Sequence, residues 1–194
     1  MTRTAHISRV TTETTVEVSI DLDGTGRAEV ATGIGMLDHL VNAFAHHSLI
    51  DVVLTTTGDL HVDDHHTVED TMLTLGEAID SALGDRSGIS RYGDARVPMD
   101  ESVAACAIDV GGRAYAVITA SFHGERLGGL STQMIGHAFE AFSRSGRLTL
   151  HIEATGRNDH HIAEAMFKAL ARATRKAVTV DDRRVGVPST KGSM

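Results

Sequence analysis

A chain of 194 residues, 41% of them hydrophobic, is long enough to bury a substantial core as one large domain. Its net charge of -8 gives no electrostatic footprint for nucleic acid or an anionic membrane surface, although a local basic pocket could still take a phosphorylated small molecule. The opening MTRTAHISRV lacks an apolar signal core, and no window approaches the ~20 apolar residues of a membrane span, so a soluble protein is expected.

In chain order, Val10 to Ile20 reads as a strand, with Val16, Val18 and Ile20 alternating against polar neighbours. Asp23-Gly24-Thr25-Gly26 reads as its turn and residues 27–32 as the returning strand. Gly33-Ile34-Gly35 breaks into a helix from about Met36 to His47, and Ile50 to Thr57 is another strand. After a polar loop ending at Asp63, Asp64 is expected to cap a helix whose apolar stripe is Val68, Met72, Leu75, Ile79 and Leu83, with Gly84 ending it. A polar connector follows, Asp85 to Gly93.

The second half repeats the order β, β, α, β, α. Residues 101–110 read as a strand, Gly111-Gly112 as a turn, 114–121 as a strand and 132–143 as a helix, before strand 147–154 and helix 159–178. Cys106, the single cysteine, cannot form an internal disulfide; it lies in an apolar run, which predicts a packed hydrophobe in a reducing, cytoplasmic setting. The words also match. Ser19-Ile20-Asp21-Leu22-Asp23-Gly24 answers Ala107-Ile108-Asp109-Val110-Gly111-Gly112, Met36-Leu37-Asp38-His39 answers Met134-Ile135-Gly136-His137, and Glu13 and Glu101 each precede the matching Ile by seven residues. The fold class is therefore α/β (α+β), a single domain over 1–194 built of two ββαβα repeats, about 9–84 and about 97–180, with a tail 181–194 outside the repeat.

The repeat that carries chemistry is Asp63-Asp64-His65-His66-Thr67-Val68-Glu69 against Asn158-Asp159-His160-His161-Ile162-Ala163-Glu164. Each copy opens a helix. On a helix the first His and the Glu, four residues apart, share a face and can grip one ion, whereas the second His points about 100° away. A lone His-His pair is ordinarily a solvated polar face, but surface histidines have no physical reason to recur at matched positions with a matched Glu. His39 and His137 fall at equivalent places on the first helix of each half. Six histidines and two glutamates, divided evenly, give two ions with three imidazoles and one carboxylate each, a set suited to manganese, iron or zinc with open positions for catalysis. The two ions leave a surplus of about two positive charges, so an anionic ligand is expected.

His47 lies on the same helical face as His39 and could act as an acid or base, as outer support, or as plain surface. His46, His61, His123 and His151 lack repeat partners and read as surface or packing residues. Arg91, Arg113, Lys168 and Ser189-Thr190-Lys191-Gly192 are candidate phosphate grips, each alone ordinarily a solvated charge, and the last ordinarily a frayed tail. No Walker loop and no Gly-x-Ser-x-Gly elbow is present.

Asp38-His39-Leu40, Asp63 to Asp70, Arg91-Tyr92-Gly93-Asp94, Asp159-His160-His161, Glu164 to Ala169 and Pro188-Ser189-Thr190-Lys191-Gly192 together resemble the imidazoleglycerol-phosphate dehydratase family of histidine biosynthesis, over nearly the whole chain. The resemblance implies a ribosomal-protein S5 domain 2-like fold with helices packed between two mixed sheets. It implies two Mn(2+) ions per active site and a homo-oligomeric shell of 24 copies with metal sites shared between neighbours. It further implies dehydration of imidazole glycerol phosphate to imidazole acetol phosphate through a metal-bound imidazolate and a diazafulvene-like intermediate. Glu13, Arg91, Arg113, Lys168, Ser189 and Lys191 would surround the substrate, and Glu13, His47 and Glu164 are the candidate acid/base groups. Leu40, Ser48 and the segment from His123 to Leu130 depart from the usual pattern without touching a candidate ligand. Two other readings stay open at this level: a dinuclear metal hydrolase of a phosphorylated small molecule, and a metal-storage protein without catalysis.

Overall fold

In the computed structural model, which describes residues 2–194, the alternation of Val16, Val18 and Ile20 becomes strand β2 (Thr14–Asp21), with all three side chains buried on one face. The stretch 10–20 is not one strand. A strand that its weak pattern concealed, β1 (Thr4–Val10), pairs antiparallel with β2 through a turn in which the Thr11 hydroxyl accepts the N–H groups of Glu13 and Thr14. β3 (Ala28–Ala31) is likewise no hairpin partner of β2. It pairs parallel with β4 (Asp51–Gly58) at the far edge, giving the order β1-β2-β4-β3. The reason is Asp51, whose carboxylate accepts the N–H of Arg27 (2.9 Å) and Thr25 (2.7 Å) and so draws the chain across to β4. Those donors, Arg27 first, hold the Asp51 carboxyl down at about 2.

Helices α1 (Gly35–Ser48) and α2 (His65–Leu83) complete the first half, and the expected stripe from Val68 to Leu83 on α2 is buried. The second half follows as β5 (Tyr92–Met99), β6 (Ser102–Asp109), β7 (Tyr115–Thr119), the short β8 (Arg126–Leu127) and β9 (Leu130–Ser131), α3 (Gln133–Gly146), β10 (Thr149–Thr155) and α4 (Asp159–Val178). Its main sheet, β5-β6-β10-β7, repeats the order of the first. Each half is therefore the expected ββαβα with one further edge strand in front, and β8–β9 is an added hairpin.

Each pair of helices lies on its own sheet and packs against the pair from the other half, α1 on α4 and α2 on α3, so the layers run sheet, helices, helices, sheet. Phe44 of α1 meets Phe142 of α3 edge to face at 5.9 Å, and Phe139 packs on Phe167 of α4 at 4.7 Å, all of them buried. Cys106 is buried too, which pushes its thiol up to about 12 and leaves it inert. Among the described residues no helix is long and apolar enough to cross a membrane. The tail docks against the inter-half connector: Gly88 N–H donates to Gly186 O, Asp181 N–H to Gly88 O, and Arg91 Nη1 to Pro188 O (2.8 Å).

The α2–α3 crossing requires a glycine. A Cβ on Gly76 would lie 2.5 Å from Phe142 O and 2.9 Å from Gly146 N, both backbone atoms that cannot rotate away. Gly76→Ala, which would gain roughly 1 kcal/mol by helix propensity alone, should instead destabilise by roughly 1–3 kcal/mol through forced separation of the helices. Thermal unfolding checks the sign: a raised melting temperature would contradict this packing.

Candidate active site

The two His-His helices start in the same way. Asp63 Oδ1 accepts the His65 N–H (2.8 Å) and Asn158 Oδ1 accepts the His160 N–H (3.0 Å), so the residue two before each first His supplies the cap. Asp64 is thus not the capping side chain; its carboxylate turns to Ser131 instead. With the starts fixed, the four-residue spacing brings His65 Nε2 to 3.8 Å from Glu69 and His160 Nε2 to 3.3 Å from Glu164.

The third member of each group comes from the other half of the chain. Because α3 packs on α2, His137 Nε2 sits 3.4 Å from Glu69, and because α1 packs on α4, His39 Nε2 sits 3.6 Å from Glu164. The paired imidazole rings are 4.9 Å apart in one group and 5.5 Å in the other. In each group the ligand atoms all lie within 4.8 Å of one another. His137 Nε2 is buried without a hydrogen-bond partner, the state of a ring nitrogen whose lone pair is kept for a metal. The donor set, two imidazoles and one carboxylate in a shallow cluster, fits a divalent cation with positions left open.

Burial works against ionisation of both glutamates, but the groups beside them win. Arg144 (2.7 Å) with His137 and His65 holds the Glu69 carboxyl below its usual range, and Lys168 (2.5 Å) with His39 does so for Glu164. Both side chains are therefore carboxylates at neutral pH. Lys168 is thereby tied to Glu164, away from the other cationic candidates.

His66 and His161 point elsewhere, as the helical phase requires. His66 Nδ1 lies 3.1 Å from Asp59 and its Nε2 3.9 Å from Glu13; His161 Nδ1 lies 2.9 Å from Glu101 and its Nε2 3.9 Å from Asp100. Asp59 raises the His66 pKa and Glu101 that of His161, while the same His161 contact and the Ser102 hydroxyl lower that of Glu101. A carboxylate on Nδ1 fixes the ring and leaves Nε2 available to a further partner. Each group within the chain thus holds two of the three expected imidazoles, and the third is turned to a different face.

Glu101, Asp59 and Arg144 were not among the sequence candidates. The register of Glu101 with Glu13 was the signal for the first; the other two leave none. His47 is half-buried on the last turn of α1, and burial, followed by Lys168, His46 and Arg172, lowers its pKa. His46, His61 and His151 are exposed, and His123 is spent on Asp159.

Arg91, Arg113, Ser189 and Lys191 line a separate cavity of about 370 Å³, so the tail packs beside the two arginines. Asp109 grips the Arg91 guanidinium with two hydrogen bonds (2.7 and 3.0 Å), raising its pKa and fixing its orientation, and Arg113 lies 4.0 Å from the same carboxylate. This cavity is far from the His39-His160-Glu164 group. Arg91 N–H donates to Ala177 O at the end of α4, whereas His160 opens that helix; at about 1.5 Å per residue, roughly 25 Å of helix lies between them.

The sequence profile of the imidazoleglycerol-phosphate dehydratase (IGPD) family matches residues 32–174. The chain is 54% identical to the imidazoleglycerol-phosphate dehydratase of Methylorubrum extorquens over 99% of its own length and all of that relative, and 50% identical to that of a Nocardioides species over the whole of both. It superposes with a TM-score of 0.83 on IGPD crystal structures from Staphylococcus aureus (32% identity, 92% of this chain and 99% of that one) and Pyrococcus furiosus (33%, 97% and 100%). On sequence and fold together, the chain belongs to the imidazoleglycerol-phosphate dehydratase family.

Proposed function

We propose that this chain is a hydro-lyase of histidine biosynthesis that converts imidazole glycerol phosphate to imidazole acetol phosphate, with two manganese ions per active site. The observation that carries the metal and substrate assignment is the pairing of two matched groups, His39-His160-Glu164 and His65-Glu69-His137, with a distinct cationic cavity at Arg91, Arg113, Ser189 and Lys191. A substrate with an imidazole at one end and a phosphate at the other needs both. Family membership favours this over a dinuclear hydrolase or a metal store, because relatives aligned over the full chain are named as dehydratases.

The reaction expels hydroxide from the carbon next to the ring and removes a proton from its neighbour, together one water, and with no carbonyl beside that C–H the ring must relay the electrons. Bound manganese would supply the Lewis acidity that draws electron density from the ring nitrogens. The chain's own residues do the rest. Arg91, pre-oriented by Asp109, together with Arg113, Ser189 and Lys191 holds the phosphate and so fixes the reacting carbon between two anchors. Glu164, engaged by Lys168, His39 and His160, is a metal ligand in this reading. Glu13, half-exposed and 3.9 Å from His66, is our candidate to move a proton, with His47, whose pKa is lowered by burial and then Lys168, as an alternative base.

A molecule of this size cannot span roughly 25 Å. We therefore infer that the active site is completed between copies, one supplying a metal group and another the phosphate cavity or the outward His66 and His161. We propose a closed homo-oligomer, the 24-subunit shell, as the assembly that brings the copies together, in a cytoplasmic setting consistent with the buried free Cys106.

Metal-free protein should be inactive on imidazole glycerol phosphate and regain dehydration when manganese is restored; full activity without metal would contradict the reading. His65→Ala and His160→Ala, each breaking a different group, should lower bound manganese and abolish turnover, and full metal content with near-normal activity in both would refute the ligand assignment. Lys191→Ala removes a charge-assisted hydrogen bond worth ~1.5–3 kcal/mol and should reduce kcat/KM roughly tenfold to hundredfold with unchanged folding. Wild-type kinetics would leave the tail without a role.

A further inference from the structure

The matched halves differ most at one place. Residues 32–34 alone join β3 to α1, whereas residues 120–132 join β7 to α3 and contain the β8–β9 hairpin. Both feet of this hairpin are held by the aspartate immediately before a His-His pair. Asp64, 4% exposed, accepts from Ser131 N–H and from Ser131 Oγ (2.8 Å), with Arg126 at 3.7 Å. Asp159 accepts the N–H groups of His123 (3.0 Å) and Gly124 (2.7 Å). Thr132 closes the loop on itself, Oγ1 donating to Gly124 O (2.7 Å) and N–H to Glu125 O (2.9 Å), so feet and tip form one body.

The tip leans over the start of α1. Leu127 and Gly128, the latter at φ +58, join Gly35, Met36, His39 and His160 around a cavity of about 350 Å³. The three-residue link before α1 is too short to build the same wall over the His65-Glu69-His137 group. Two groups with identical donors would accept a small planar ring equally from either side, so an apolar wall at only one of them distinguishes the two orientations.

We propose that Leu127 is a specificity-determining residue that packs against the five-membered ring of the substrate at the His39-His160-Glu164 group. Asp64 and Asp159 are the positioning residues that lock this wall to the two helix starts carrying the histidines. The proposal rests on the proposed function, in which the substrate ring is bound at the metal groups, and adds which of the two groups carries the wall.

Calorimetric binding of imidazole, and separately of inorganic phosphate, to the manganese-loaded full-length assembly tests it without relying on turnover. Leu127→Ala should weaken imidazole roughly fivefold, leaving phosphate affinity and manganese content unchanged. Asp159→Ala should weaken imidazole to a similar extent, and the double variant should be no weaker than either single one, because strap and wall act as a unit. Asp159→Asn, which keeps one acceptor for the Gly124 N–H, should fall between wild type and the alanine variant, and carries the test if Asp159→Ala does not fold. Wild-type imidazole affinity in Leu127→Ala, or additive losses in the double variant, would overturn the proposal. Wild-type protein that binds imidazole, with the pattern above, yet does not dehydrate imidazole glycerol phosphate would overturn the functional reading and leave the wall standing.

Discussion

Two histidine-glutamate pairs, four residues apart at the starts of α2 and α4, set the geometry on which the rest of the molecule depends. A helix start is rigid once its first N–H groups are satisfied, and Asp63 and Asn158 satisfy them for His65 and His160. The pairs alone make half a site. What completes them is the packing of each half's first helix against the other half's second, which delivers His137 to Glu69 and His39 to Glu164. The helix–helix layer, with Gly76 permitting the α2–α3 approach, is therefore as much a part of the two histidine-glutamate groups as their side chains are.

The same regularity imposes a separation. Because α4 presents its first turn to the histidine group and its last to Arg91, one chain holds a histidine-glutamate group and a cationic cavity at opposite ends of a helix. Preorganisation is visible at each end: Asp109 grips Arg91 in two places, and Glu101 and Asp59 hold the outward imidazoles by Nδ1. Each arrangement is complete in orientation but incomplete in membership within one chain, which is the basis for proposing that copies share a site.

Much of this was legible in the sequence because the chain is duplicated. The helix over 159–178 was readable to the residue, and the buried stripe of α2 followed from its period. β1 and β5 were not readable, since edge strands bury only part of one face and β5 even carries Pro98, which edge positions tolerate. The cap fell one residue early, at Asp63, because Asp63-Asp64 offers two equivalent side chains and only the tertiary contact with Ser131 decides between them. The β8–β9 hairpin was invisible, with two residues per strand. The crossing of His39 to the second half's Glu164 is a property of helix packing that no linear repeat displays.

If no single chain holds a whole active site, two inactive variants can complete one another. His160→Ala and Arg91→Ala should each be inactive as pure assemblies, one lacking a metal ligand and the other a phosphate ligand. Dissociating the two variants, mixing them and reassembling them should restore dehydration, because a site drawing its metal group from one chain and its arginine from the other is intact. Mixed assemblies of confirmed composition that stay as inactive as their parents would contradict the account.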